Sequence, residues 1–484
     1  MADFSNQSTR KGFFAPSRFE ADVYDCEVEG KIPAELDGAF VRVGGEYLYP
    51  PLHSDDAGFS VDGYISMFRF KKGVVDYKGR WVKTPRFMAD RAASRQLFGN
   101  YRNPFFDDPS VKGLDRTVAN TAVVAHAGKL FALKEDTLPY EIDPKTLETV
   151  GPWDFHGKYK SKTFTAHPKF DPITGDMICY GYEATGLLSD DVFVYTVDKA
   201  GKVTREVRFK VPYISMMHDI VLTEKHIVFP FGGYVTSMER LKAGKVHWGW
   251  DPKAPAMVGI LPRDGEGKDI RWFKGPLQAT IHTFNGRTEG NKVVLEAGIY
   301  EANPFPFFPP TDGTPWNPNG SRCFIHRQTF DLDSKGDSFA DEIVFPGPAS
   351  DLGKVDDRYM GHPYRNIFTS YSDKARPFDE ARAGNLGGRV VNCYGRFDLA
   401  SNKITSLFAG DTHSLQECCF VPRTGAPEGD GWIMGVASNY AESRSELIVA
   451  DAQSMTEVAR VILPFRSSAA LHGKWAGAGE LAFA

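Results

Sequence analysis

A short motif recurs along most of this 484-residue chain and constrains its fold more than any other feature. An apolar or aromatic segment ends at an aspartate, then a brief polar turn leads into another strand-like segment. The motif stands at Asp143 (EIDPKTLETV), Asp198 (YTVDKAGKVTREV), Asp251 (GWDPKAPAMVGIL), Asp331 (FDLDSKGDSF), Asp398 (FDLASNKITSLF) and Asp451 (VADAQSMTEVARV). Successive aspartates lie 55, 53, 80, 67 and 53 residues apart. Aspartate suits this place because its carboxylate accepts backbone N–H groups two residues on and closes the turn. Hairpins repeating at roughly 50–70 residues are what a β-propeller produces, one sheet per repeat. Seven blades would average about 69 residues, longer than the ~40–50 of a compact blade, so the surplus belongs in loops. The expectation is an all-β, seven-bladed β-propeller. Because the repeat crosses the middle of the chain, residues 1–484 read as a single domain.

Three stretches, 92–115, 303–317 and 350–382, are rich in Pro, Gly and aromatics with little periodicity. They are the candidate long loops, where function concentrates on a rigid scaffold. Composition fits a turn-rich β chain, with 13% aromatics, 47 Gly and 31 Pro. A net charge of −5 without blocks of like charge gives no footprint for nucleic acid or an anionic membrane. No stretch approaches the roughly 18 apolar residues of a spanning helix, and the N-terminus lacks the apolar core of a signal peptide. Six cysteines without zinc-type spacing, Cys418 and Cys419 adjacent, read as reduced thiols of a cytoplasmic protein.

Two hairpins are legible in detail. Residues 64–70 and 74–81 flank Lys71-Lys72-Gly73, and residues 122–125 and 130–133 flank His126-Ala-Gly-Lys129. The second hairpin ends in Lys134 and Glu135. Ionised side chains are costly to bury unless paired or coordinating, so this pair is either a strand reaching solvent or a functional pair.

Four of the 12 histidines sit in small or apolar settings: His167 (TFTAHPK), His218 (ISMMHDIV), His282 (QATIHTFN) and His472 (AALHGKW). The others (His53, His126, His156, His226, His247, His326, His362 and His413) mostly adjoin charged, Gly or Pro residues and read as turn or surface positions. Separations of 51, 64 and 190 residues are one, one and three blades at a period of roughly 60. Four blades would then each aim one histidine at a common axis. Imidazoles suit iron, copper, zinc or nickel. The residues alone leave both a shared metal site and four structural histidines open, and no H-E-x-x-H motif decides between them.

Nearly the whole chain resembles the carotenoid cleavage oxygenases. Ile32-Pro-Ala-Glu-Leu-Asp-Gly is similar to the family's opening motif, and Leu133-Lys-Glu with Ile142-Asp-Pro-Lys-Thr-Leu-Glu-Thr to its second-blade signature. Ala166-His-Pro-Lys, Met217-His-Asp, Ile281-His-Thr-Phe-Asn-Gly and Leu471-His-Gly-Lys-Trp match the four ligand motifs in order. Gln416-Glu-Cys-Cys-Phe-Val-Pro-Arg and Arg444-Ser-Glu-Leu-Ile-Val-Ala-Asp-Ala match late strands. The resemblance implies a seven-bladed propeller whose long loops cap an axial iron(II), with O2 as co-substrate. It implies His167, His218, His282 and His472 as ligands, and Glu135, Asp351 and Glu417 as carboxylates orienting three of them. Asp351 departs from the family's usual Glu and is one methylene shorter. Thr121 matches a position that in some relatives crowds one open coordination site.

Within the family the chain is most similar to the bacterial lignostilbene dioxygenase subgroup. Members acting on long polyenes commonly carry an apolar or aromatic residue before the orienting Glu, and here Lys134 stands there. The subgroup resemblance implies cleavage of the central double bond of a 4-hydroxystilbene into two aromatic aldehydes. Lys134 would favour the phenolate, Tyr101 would share the phenol oxygen, and Phe59 would stack on a ring. The expected partner is thus a small phenolic stilbene, with no nucleic acid and no membrane insertion, and a homodimer is compatible with the subgroup. Loop 303–316 reads as a substrate lid or as a membrane-touching patch, and the lid is the preferred expectation because a phenolic stilbene needs no extraction from lipid. Two alternatives stay open at this point: apocarotenoid or carotenoid cleavage by the same centre, and a non-catalytic propeller scaffold.

Overall fold

Seven antiparallel sheets succeed one another around a ring, and their strand order tells how the ring closes. The computed structural model describes Phe4 and residues 12–53, 56–318, 321–345, 347, 349–384 and 390–483. The second blade is the simplest: Ala122–His126, Lys129–Leu133, Tyr140–Ile142 and Thr149–Pro152 pair in chain order from the axis outward. Blades three, four and five repeat this pattern, beginning at Lys169–Phe170, Val221–Leu222 and Ala279–Glu289. Blade six has three strands from Asn366–Tyr371 to Lys403–Phe408, with Lys354 bridging to Phe368 on its inner edge. Blade seven starts at His413–Pro422.

Closure uses both ends of the chain. The C-terminal strand Ala470–Gly477 pairs with Gly38–Glu46 and becomes the inner strand of blade one. Near the other end, the strand Glu27–Gly30 pairs with Thr456–Ile462 at the outer edge of blade seven. Apolar clusters lie between neighbouring blades; one joins Phe40, Phe68 and Tyr77 of blade one to Met434, Val436 and Leu447 of blade seven. Each such buried side chain contributes about 1.5–3 kcal/mol, so the sheets adhere face to face and leave the axis free for polar groups.

The turn aspartates behave as their chemistry predicts. Asp143 Oδ1 accepts the N–H groups of Lys145 and Thr146 at 2.9 and 2.8 Å, and Asp198, Asp331, Asp398 and Asp451 cap their turns likewise. Each turn leads into the last strand of its repeat. Asp251 is an exception and corrects the repeat. It caps a turn, accepting from Lys253 N, but follows Gly249–Trp250, which pairs with Tyr234–Val235 in a ribbon outside the blades. The equivalent turn of blade four, between Ala256–Pro262 and Arg271–Gly275, carries Asp264. With Asp264 in place the separations of 53 and 80 become 66 and 67. A local motif cannot distinguish a blade turn from an inserted ribbon turn, because the hydrogen bonding is the same.

Both hairpins form. The first pairs Asp62–Lys71 with Val74–Trp81. In the second the strands run to His126 and from Lys129, so the turn shrinks to Ala127 and Gly128, at φ 50° and 76°. Two left-handed residues are what a tight hairpin requires. One helix, Pro85–Ala93, lies just before and inside the first predicted loop. Thr84 caps it, accepting from Phe87 N at 3.2 Å, and Pro85 opens it. Among the described residues no helix is long and apolar enough to cross a membrane.

Candidate functional site

The four histidines selected by their apolar settings meet on the ring axis. His167 and His218 lie just before the inner strands of blades three and four, and His282 and His472 lie within those of blades five and one. Their Nε2 atoms are 3.0 Å (His167–His218), 3.1 Å (His218–His282) and 3.1 Å (His282–His472) apart. Local irregularity supplies the aim. Strand register shifts beside His282, beside His472 and at Glu417, and such bulges redirect side chains that regular pleating would turn away.

Three carboxylates stand behind the ring, from the three blades that supply no histidine. Glu135 Oε1 takes His218 Nδ1 at 2.5 Å, Asp351 Oδ2 takes His282 Nδ1 at 2.7 Å, and Glu417 Oε1 takes His472 Nδ1 at 2.8 Å. Glu417 also accepts Gly473 N at 2.9 Å and the Lys354 ammonium at 2.8 Å. With these Nδ1–H groups donating outward, each imidazole presents a lone pair inward. Burial and the other three histidines keep His167 well below the usual imidazole range, and burial pulls His472 down to about 4 against Glu417.

Neutral lone pairs facing one another across about 3 Å repel unless a cation lies between them, so the donor set fits a metal. The spacing carries further information. Imidazole nitrogens sit about 2.1 Å from a first-row metal, so ligands at right angles are about 3.0 Å apart and tetrahedral ones about 3.4 Å. Separations of 3.0–3.1 Å match right angles. A right-angled set of imidazoles would leave coordination positions free, which a closed tetrahedral site would not.

A cavity of about 250 Å³ adjoins His218, His282 and His472. Phe59, Tyr101, Thr121, Lys134, Tyr300 and Phe305 line it with apolar neighbours. It lies just below the ~300–1,000 Å³ range of small-molecule pockets. The sequence-predicted residues Phe59, Tyr101, Thr121 and Lys134 are therefore all on one wall system.

Lys134 does not reach solvent; the strand-end reading fails. The residue is 2% exposed. Its ammonium donates to Phe59 O at 2.9 Å and Asn120 Oδ1 at 2.8 Å, and lies 5.2 Å from the Tyr101 ring centroid and 5.8 Å from that of Phe59. Burial lowers it to about 8, opposed by Asp136 and Glu135. Two of its three N–H bonds are committed to protein acceptors, and one remains. Asn120, which fixes this lysine, was not legible in the sequence: an asparagine beside a strand start reads as a turn residue.

Phe305, Phe307 and Phe308 of the aromatic loop pack around Phe59, with ring centroids 5.5, 4.9 and 6.1 Å away. Three histidines read as turn or surface residues prove buried: His126, His247 and His413. His247 Nε2 lies 3.1 Å from Glu183, which also holds Arg102 at 2.6 Å behind Tyr101; His413 faces Glu446 at 3.1 Å. Charged neighbours in sequence say little about burial when distant carboxylates supply the partners.

Comparison with known proteins agrees with this architecture. Residues 14–477 match the family model described as retinal pigment epithelial membrane protein. The chain is 42% identical to a lignostilbene-alpha,beta-dioxygenase isozyme III of Sphingomonas paucimobilis, over all of both chains. It is also 42% identical to an isoeugenol monooxygenase of Pseudomonas putida, over 98% of this chain and 99% of that one. The crystal structure of Pseudomonas brassicacearum lignostilbene dioxygenase superposes with a TM-score of 0.95 at 38% identity, covering 99% of this chain and 100% of that one.

Proposed function

This chain belongs to the retinal pigment epithelial membrane protein family, the carotenoid cleavage oxygenases, and from that premise we propose that it is an iron(II)-dependent dioxygenase of 4-hydroxystilbenes. It splits the central C=C bond with O2, one oxygen atom going to each carbon, to give two aromatic aldehydes. His167, His218, His282 and His472 would hold the iron, with Glu135, Asp351 and Glu417 fixing three of them. When bound, the iron supplies the redox chemistry that activates O2.

The observation that carries the substrate class is Lys134: a buried ammonium with one uncommitted N–H, on the wall of a cavity that ends at three of the histidines. Its charge favours a phenolate over a phenol, and a charge-assisted hydrogen bond holds that oxygen against the cavity wall. A phenolate pushes electron density through its ring into a conjugated alkene, which readies that bond for oxidation. Tyr101, lining the same wall, shares the phenol oxygen, and Phe59 offers a ring edge or face to the substrate. Thr121, which lines the same cavity, borders the space left for O2. The Phe305–Phe308 turn closes the cavity over the substrate as a lid. A small cavity with a buried cation suits a phenolic alkene better than a long apolar polyene. Residues 1–484 act as one propeller domain in this reading.

Isoeugenol, named in two relatives, is also an alkene conjugated to a phenol ring. The test is therefore a parallel assay of iron-loaded protein with a 4-hydroxystilbene, isoeugenol and a polyene aldehyde. Rapid turnover of the stilbene is expected; turnover of the polyene with none of the stilbene would sink the proposal.

A further inference from the structure

Asp351 is one methylene shorter than the glutamates that hold the other two histidines, yet its hydrogen bond to His282, at 2.7 Å, falls between theirs at 2.5 and 2.8 Å. Two features account for its reach. The strand Lys292–Tyr300 runs beside the His282 strand, and its Gly298 has no side chain where the Asp351 backbone passes. A Cβ built on Gly298 would lie 2.5 Å from Asp351 Cα and 2.8 Å from Asp351 Cβ, far inside contact distance. The 351 segment thus sits closer to the histidine strand than any larger residue would permit. Two residues along that strand, the Tyr300 hydroxyl donates to Asp351 Oδ1 at 2.7 Å. With Oδ1 held, the carboxylate cannot rotate away, and Oδ2 stays on His282 Nδ1. Tyr300 also lines the cavity.

We propose that Gly298 and Tyr300 are positioning residues that let an aspartate do the work of a glutamate on His282: Gly298 shortens the span and Tyr300 locks the carboxylate. This rests on the reading of His282 as a metal ligand. It makes the Gly298, Tyr300 and Asp351 side chains one coupled unit, so their substitutions must not combine additively.

The test measures metal retention against a competing chelator, together with the visible spectrum of the cobalt(II)-loaded protein, neither of which needs turnover. Tyr300→Phe keeps the ring and removes the lock; metal affinity is expected to fall about 10-fold, the lower end for lost outer hydrogen bonds, with a shifted cobalt spectrum. Gly298→Ala is expected to weaken retention when Asp351 is present, since it pushes the segment back. In the Asp351→Glu background the same Gly298→Ala change should improve retention, because the longer carboxylate needs the wider gap. Unchanged affinity and spectrum in Tyr300→Phe would overturn the lock, and additive losses in the Gly298–Asp351 pair would overturn the span argument. If Gly298→Ala does not fold, Asp351→Glu alone decides the span: weaker retention than wild type is expected because the gap is too short for the longer carboxylate, and equal or better retention would overturn it. Wild-type protein that binds no metal overturns the metal reading and this inference together; wild-type retention shared by Tyr300→Phe overturns only the inference.

Discussion

Replacing Lys134 with methionine removes the cavity's buried charge while keeping most of the side-chain volume, and the structure sets the size of the effect. The ammonium has one N–H left for a substrate oxygen once Phe59 O and Asn120 Oδ1 are satisfied. A hydrogen bond to a charged group is worth about 1.5–3 kcal/mol, which corresponds to a loss of roughly 10- to 150-fold in kcat/KM. The fold should tolerate the change. Phe59 O still accepts Asn120 Nδ2 at 3.1 Å, and Asn120 Oδ1 still accepts Thr121 Oγ1 at 3.2 Å, so neither acceptor is stranded. The stability cost is then about 1 kcal/mol or less, offset by no longer burying a cation. The assay is aldehyde formation from a 4-hydroxystilbene and from its 4-methoxy analogue, with iron content measured on the same samples. The methoxy compound cannot become a phenolate, so Lys134→Met should scarcely slow it further. Wild-type rates on the hydroxystilbene at full iron loading, or equal losses on both compounds, would refute the phenolate argument.

Three other outcomes follow from the same geometry. Glu135→Gln keeps a hydrogen-bond acceptor but removes the charge facing His218, so iron affinity should drop ~10- to 100-fold in a chelator titration. Lys134 is lowered to about 8, so its ammonium is present below that pH and lost above it; kcat/KM for the hydroxystilbene should fall as pH rises through about 8, and the Lys134→Met profile should lack that limb. Ending the chain before Ala470 removes the inner strand of blade one along with His472, so the truncated protein should show no cooperative thermal unfolding by circular dichroism.

The ring was legible because its turns are chemical. An aspartate that closes a turn leaves the same mark wherever the chain turns, and five of the six marks fell on blade turns. The same locality explains the error at Asp251, whose ribbon turn bonds identically. His167, His218, His282 and His472 stood out because an imidazole among apolar residues needs a partner, and their blade spacing matched the partner's place on the axis. Lys134 and Glu135 stood out locally as a charged pair at a strand end, but their roles, like Asp351 and Glu417 themselves, came from resemblance to a family, since no local pattern marks a carboxylate that faces a histidine up to 83 residues away. Asn120, Tyr300 and Gly298 escaped both routes. Their roles lie in distances between loops and strands remote in sequence, and a glycine whose value is an absent Cβ has no signature at all.

The central claim is that a four-histidine metal and a phenol-binding lysine act on one alkene. It is tested most directly by incubating iron-loaded protein with a 4-hydroxystilbene while recording O2 uptake and identifying products by mass spectrometry. The account predicts one O2 consumed per alkene and two aromatic aldehydes in equal amounts. O2 uptake without paired aldehydes, or no reaction from protein carrying a full complement of iron, would contradict it.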